Sequence, residues 1–384
     1  MRTPAERMSA APRTERALRL GVALAAAAGL LASGAPKARA QGGVLLQGIA
    51  DLEAWSTNTT SNLLTRNAGK PGVVGRVQLT GAYEFARGWV VYAQGEAVGG
   101  DARAKSESEH FSSDHFGLRY APSRALVFDG GRLTPVLGTF SPRHYSTRNP
   151  LIGSPDGYAL KYPLGVEVSG ETKYFDYRAA MVSLPSAHMD YVPAATPRLR
   201  PAVGGGITPI VGLRLGGSYT VGPYLNNSYS YASLGGKEWT DYHQRVAAFD
   251  FAYSRGYLET HAEFARGSYD VPGTVKPISG STYYGEIKYT LTPRFFVAVR
   301  SERNDYPSIR PTGTAWTARL TDFADGEVGG GFRLTPSTLV KASVRADRYW
   351  FRYGVTGFPG TGGHAIALQL SQAFDVVSWF DRDK

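Results

Sequence analysis

The sequence predicts an all-β chain: a transmembrane antiparallel β-barrel of about sixteen strands, its long third extracellular loop folded into the lumen. Three observations predict it. Segments of about ten residues alternate apolar and polar side chains, the period-two pattern of a strand with unlike faces. Very short connections and long polar ones join these segments in strict alternation. Aromatic residues gather near strand ends, as they do at the two interfaces of a bilayer.

The first forty residues are expected to lie outside the fold. Arg13, Arg16 and Arg19 precede an apolar run from Leu20 to Leu31, and Ala38-Arg39-Ala40 forms a small-x-small cleavage site ahead of Gln41. This three-part pattern predicts a secretory signal peptide over 1–40, with translation beginning at Met1 or Met8. The apolar run is shorter than the roughly 20 residues a spanning helix needs. Residues 41–384 then form one barrel domain. The leader holds seven Lys/Arg and two Asp/Glu, so its removal lowers the formal charge from +10 to +5. A mild positive balance spread along the chain does not argue for nucleic acid. With no cysteine, there is no disulfide framework, no lipid-anchoring thiol and no covalent haem attachment.

The strands follow in order at 44–55, 73–86, 88–99, 112–121, 125–133, 164–170, 174–183, 199–207, 210–222, 241–254, 257–267, 281–291, 294–303, 324–334, 338–350 and 363–374. In the second, Val77, Leu79, Tyr83 and Phe85 oppose Arg76, Gln78, Thr80 and Glu84. In the third, Trp89, Val91, Ala93 and Ala97 oppose Tyr92, Gln94 and Glu96. Leu258, Thr260, Ala262 and Phe264 oppose Tyr257, Glu259, His261 and Glu263; Tyr283, Ile287, Tyr289 and Leu291 oppose Tyr284, Glu286, Lys288 and Thr290. The expected short turns are Ala86–Gly88, Ala121–Arg124, Gly170–Lys173, Ile207–Ile210, Ser254–Gly256, Leu291–Arg294 and Leu334–Ser337. An even strand count puts both ends of the barrel on the short-turn side. One expected aromatic belt comprises Tyr83, Phe85, Trp89, Tyr253, Tyr257, Tyr289, Phe295 and Phe296. The other comprises Trp55, Trp239, Tyr242, Tyr349, Trp350 and Phe351.

The third long loop, about 134–163, is the longest connection and an unusually apolar one. Pro135, Leu137, Phe140, Leu151, Ile152, Tyr158 and Tyr162 would be costly to leave in solvent, so the loop is expected to pack against the inner wall. Folded inward, it narrows the bore. Arg143, His144 and Arg148 are the residues expected to face the remaining passage. Arg119, Arg178, Arg214, Arg300, Arg333, Lys341 and Arg345 are candidate pore-lining cations. Glu96, Glu167, Asp176, Asp250, Glu286, Glu302, Glu327 and Asp347 are interspersed with them, so an anion path and a charge-paired wall are both open.

With these features the chain resembles the bacterial general and substrate-selective porins. Gly130-Gly131-Arg132-Leu133-Thr134-Pro135 is similar to the Gly-x-x-x-x-Pro segment that leads into the third loop in porins of the phosphate-selective type. The resemblance implies an outer-membrane location, passive diffusion of small hydrophilic solutes or anions, lipid as the surrounding partner, and a homotrimer. It also implies a terminal Phe as an assembly signal. Here Phe374 is followed by Asp375–Lys384, which leaves Phe374 or Phe380 to serve.

Two other readings weigh less. A barrel-embedded hydrolase would need a nucleophile, a base and an orienting group together, and no nucleophile motif stands out, so no catalytic residues and no cofactor are expected. A scaffold barrel sheathing a partner protein is the second. Glu259, His261 and Glu263 share a strand face, but i and i+4 lie roughly 13 Å apart along a strand, too far for one ion, so no metal is expected.

Overall fold

The computed structural model describes residues 43–58, 70–100, 110–155, 162–183, 198–225, 234–312, 315–352 and 361–376. The expected signal peptide, Tyr158 and Phe380 lie outside them. Sixteen strands form one closed antiparallel barrel, each paired with its chain neighbours and the last with the first. They are β1 (Val44–Thr57), β2 (Gly72–Ala86), β3 (Trp89–Gly100), β4 (His110–Ser123), β5 (Leu126–Arg132), β6 (Leu164–Glu171), β7 (Phe175–Val182) and β8 (Arg200–Ile210). β9 (Leu213–Pro223), β10 (His243–Arg255), β11 (Leu258–Tyr269), β12 (Ile278–Thr292), β13 (Phe295–Thr312), β14 (Ala315–Arg333), β15 (Thr338–Arg352) and β16 (Thr361–Asp375) complete it. Closure satisfies every ladder without a free edge, which a sheet in lipid requires.

The alternation sorts the two faces as expected. Val77, Leu79, Val91, Phe264, Ile287, Val299, Val344 and Ile366 stand exposed on the outer face. Gln94, Asp129, Glu263, Glu286, Arg300, Glu327, Lys341 and Gln369 point inward and are buried. On the short-turn side the aromatic belt is present: Tyr83, Phe85, Trp89, Tyr257, Tyr289 and Phe295 are outward and exposed. Trp89 stacks on Tyr120 with ring centroids 4.5 Å apart.

Several expectations need correction. Phe296 has the opposite parity to Phe295 and is buried in the lumen. Of the expected far belt, Trp55, Trp239 and Tyr242 do not face lipid. Trp55 shares the lumen face with Glu53, to which its Nε1 donates at 2.8 Å, and packs on Val74 and Val98. Tyr242 is buried, and Trp239 packs beside it, in a cluster with Tyr224, Leu225, Leu234, Tyr269, Val271 and Ile309 that caps the long-loop end of β9 to β14. The side chains of Tyr349, Trp350 and Phe351 lie outside the described residues. Periodicity alone could not separate a loop-packed aromatic from a lipid-facing one, because both sit beyond the alternating run.

The turn expected at Ile207–Ile210 falls instead at Val211 and Gly212. Thr208 and Pro209 sit in a register shift between Ile207 and Ile210, where a proline costs no ladder hydrogen bond. Gly212 takes φ +90°, and a Cβ there would come 2.1 Å from the Ser254 carbonyl oxygen. The turn therefore needs glycine. The loop expected between the thirteenth and fourteenth strands is mostly sheet. β13 and β14 stay in register from Phe295↔Phe332 to Thr312↔Ala315. Pro307 and Pro311 fit there because pairing with β12 stops at Asp305, so that edge asks for no N–H.

Candidate functional site

The third loop lies inside the barrel. Its outgoing leg follows the inner wall. Val136 packs with Ala180, Val182 and Ala202 of β7 and β8, and Leu137 with Val246 and Ala265 of β10 and β11. Arg178 donates to the carbonyl oxygens of Pro135 at 3.3 Å and Gly138 at 3.4 Å. The Thr139 amide and hydroxyl both donate to Glu263, at 3.0 and 2.8 Å, and the Tyr284 hydroxyl donates to the same oxygen at 2.8 Å. Phe140 is fully buried, edge-on to Tyr284, with Arg300 over its ring.

The loop's far half is tied down by buried ions. Arg300 Nη2 donates to Glu327 at 2.6 Å and to the Gly153 carbonyl at 2.5 Å; its Nη1 donates to Glu286 at 3.2 Å and to Asn149 Oδ1 at 3.3 Å. The other Glu327 oxygen accepts from the amides of Ile152 and Gly153, at 3.2 and 3.0 Å. Gly153 admits this approach because it has no side chain; a Cβ would fall 2.7 Å from Glu327 and 2.8 Å from Arg345. The Lys341 ammonium donates to the carbonyls of Ser146, Asn149 and Leu151 at 2.9 to 3.0 Å, filling its three donor directions. Arg345 donates to the Ser154 carbonyl at 3.1 Å and pairs with Asp325.

The tip of the loop reaches two walls. A short 3-10 turn at Ser141–Arg143 presents Arg143 to Glu286 on β12, with which it pairs. Two residues on, the Tyr145 hydroxyl exchanges hydrogen bonds with the Gln94 amide of β3, at 2.9 and 3.1 Å. β3 and β12 lie nearly opposite one another in the closed strand order, so the tip bridges the bore. Beside it runs a row of rings. His144 lies 3.9 Å from Tyr145 and 6.4 Å from Tyr162; Tyr162 lies 5.7 Å from His115, which lies 4.7 Å from Tyr92. Arg148 is exposed on the tip, donating to the Pro142 carbonyl at 3.2 Å.

The expected pore-lining cations thus fall into two groups. Arg119, Arg178 and Arg214 face the lumen and keep some exposure, and Arg333 is half-buried near the short turns. Arg300, Lys341 and Arg345 also face inward but are covered by the loop, so they anchor it instead of lining water. Two of the exposed group are matched to acids. Arg119 bonds Asp129 at 2.9 Å, with Tyr92 under its guanidinium. Arg214 grips Asp176 bidentately, at 2.7 and 2.8 Å, and also pairs with Asp250. Arg76 lies between Glu53 and Glu96 at 3.8 and 3.5 Å. Glu259 is paired with Lys288 at 2.7 Å, while Glu263 serves the loop, so these two carboxylates on one face have separate partners.

Sequence reading placed the loop in the lumen, but it missed Gln94, Asn149 and Gly153. Gln94 carried only the signal of a polar lumen position; nothing in the chain marks it as the contact of a residue fifty positions away.

No protein-family model and no curated protein matches the chain. Solved structures of the same fold do. The anion-selective porin from Comamonas acidovorans aligns with TM-score 0.57 at 12% identity, covering 86% of this chain and 99% of that one. The Salmonella typhi OmpF complex with daunomycin gives 0.56 at 12% identity, covering 86% and 97%. Outer-membrane expressed OmpT of Vibrio cholerae gives 0.55 at 11%, covering 89% and 100%. The chain has the porin fold.

Proposed function

We propose that this chain is an outer-membrane porin, a water-filled channel for passive diffusion of small hydrophilic solutes. The observation that carries this reading is the tip of the third loop, held between Glu286 and Gln94 across a wide polar bore. A barrel of sixteen strands is too wide for side chains to fill, and an inserted loop sets the size of what passes. A bore already crossed by its own loop is a poor sheath for a partner protein. Export through the 1–40 leader, surrounding outer-membrane lipid and a homotrimeric assembly belong to the same proposal.

Selectivity by charge should be weak. Arg119 and Arg214 have carboxylates within hydrogen-bond range, so their fields largely cancel a few ångströms away. Arg148, exposed on the tip and bonded to a carbonyl instead of a carboxylate, supplies the basic character that remains. The Gly130–Pro135 segment makes inorganic phosphate the first solute to test. Planar-bilayer recording from the purified protein is the deciding experiment. Stepwise conductance with a small reversal potential in a potassium chloride gradient is expected, and the absence of steps at every voltage would overturn the channel.

A further inference from the structure

The wall that the loop tip meets offers more than the Gln94 side chain. Phe116 and Leu118 of β4 are exposed on the outer face, so His115, Gly117 and Arg119 face the lumen. In the ladder with β3, His115 stands opposite Gln94, Gly117 opposite Tyr92 and Arg119 opposite Val90. Gly117 makes room for a ring: a Cβ there would fall 2.8 Å from the Tyr92 hydroxyl. Without one, Tyr92 reaches over β4 between the His115 ring, 4.7 Å away, and the Arg119 guanidinium, 5.6 Å away. Tyr162 and His144 continue the row to the loop tip, where His144 meets Tyr145. Successive rings are tilted by 32° to 57° and not stacked flat, which leaves part of their faces uncovered. All but Tyr162 are partly exposed.

The row ends on an open cation. Arg119 Nε donates to Asp129 at 2.9 Å, which holds the guanidinium in place, while the side chain stays 46% exposed. Its two terminal amino groups have no protein acceptor among the described residues. Asp129 cancels the field of Arg119 at a distance, but a group in contact still finds two parallel donors, the fork that a carboxylate accepts bidentately. The tilted rings add an attraction for a flat aromatic ring that a compact anion cannot use. We propose that this wall binds aromatic monocarboxylates of the benzoate class, the ring along Tyr92 and His115 and the carboxylate on Arg119. The proposal rests on the porin reading and deepens it, because it names the class of solute that lingers beside the loop tip.

The test follows potassium chloride current through the whole barrel in planar bilayers and measures the concentration of added solute that halves it. Benzoate is compared with three solutes. Cyclohexanecarboxylate keeps its charge and size but not the flat ring, benzamide keeps the flat ring but not the charge, and inorganic phosphate keeps charge alone. Benzoate should block at a concentration about fivefold lower than any of them, the size of one aromatic contact. Tyr92→Leu and Arg119→Gln should each abolish that advantage, and Tyr92→Phe, which keeps the ring, should retain it. Equal block by cyclohexanecarboxylate would remove the rings from the site, and equal block by benzamide would remove Arg119. Stronger block by phosphate would leave only an anion contact. Each of these outcomes overturns the proposal, as does a benzoate advantage that survives both variants. Folding is checked by heat-modifiable migration; should Tyr92→Leu fail that check, Arg119→Gln carries the comparison. Saturation-transfer NMR of benzoate on the barrel in detergent detects binding without current. Benzoate bound through Arg119 to a barrel without conductance steps would overturn the channel and leave the site; steps without a benzoate advantage would overturn the site and leave the channel.

Discussion

Arg300 and Glu327 face each other across neighbouring strands at 2.6 Å, each side chain 1% exposed, and both also bind the backbone of Gly153. The pair is therefore a clamp on the third loop as much as a contact between β13 and β14. Each ion is desolvated by the loop that it holds. Removing one partner strands a charge in a dry site, typically about 3–5 kcal/mol.

Replacing Arg300 by Met should thus destabilise the loop by several kcal/mol while the ladders of β13 with its neighbours persist. Recordings should show larger and noisier conductance, with heat-modifiable gel migration retained. Unchanged conductance would mean that Lys341 and Arg345 suffice to hold the loop.

The bridge at the tip should be separable from that clamp. Tyr145→Phe removes one hydroxyl, a loss of about 1 kcal/mol. Conductance and the size limit for neutral sugars in liposome swelling should rise modestly, with thermal stability nearly unaltered. Gln94→Leu should give the same result from the opposite wall, and the two changes together should add little, as expected when both partners of one contact are removed.

The loop cations should part company under mutation. Arg148→Gln removes an exposed charge and should shift the reversal potential toward cations without altering pore size. Arg143→Gln leaves Glu286 short of a partner and should change both. The shift from Arg148 should fade in about 1 M salt, where the screening length is about 3 Å. A reversal potential unmoved by Arg148→Gln would remove that residue from the solute path. Freeing a wall arginine offers the converse: Asp129→Asn should raise anion preference through Arg119.

Gly212→Ala places a Cβ against the Ser254 carbonyl at positive φ. It should destabilise the β8–β9 turn by about 1–3 kcal/mol and slow refolding from urea. Gly256→Ala, with a positive φ but open space around it, should cost less. Equal effects would show that the clash at Gly212 relaxes.

How much could be read from the chain follows from the range of the forces involved. Alternation is local, so strand number, the inward and outward faces of β2, β3, β11 and β12, and the length of the third loop were all legible. The apolar content of that loop even indicated that it packs inward, since Leu137, Phe140 and Leu151 have nowhere else to be dry. What each cation does was not legible. Arg119 and Arg300 have the same parity in the same kind of strand, yet one keeps a partly exposed edge and the other is covered by Gly153 and Asn149. Trp55 and Tyr242 look like belt residues until the lumen and the loop cap claim them. The sequence by itself determined a closed barrel with an inward loop, because a period of two and the cost of wet apolar side chains act over a few residues. Only the tertiary structure decided that Tyr145 meets Gln94 and that Lys341 caps three loop carbonyls, because burial and charge pairing depend on which distant segment covers a side chain.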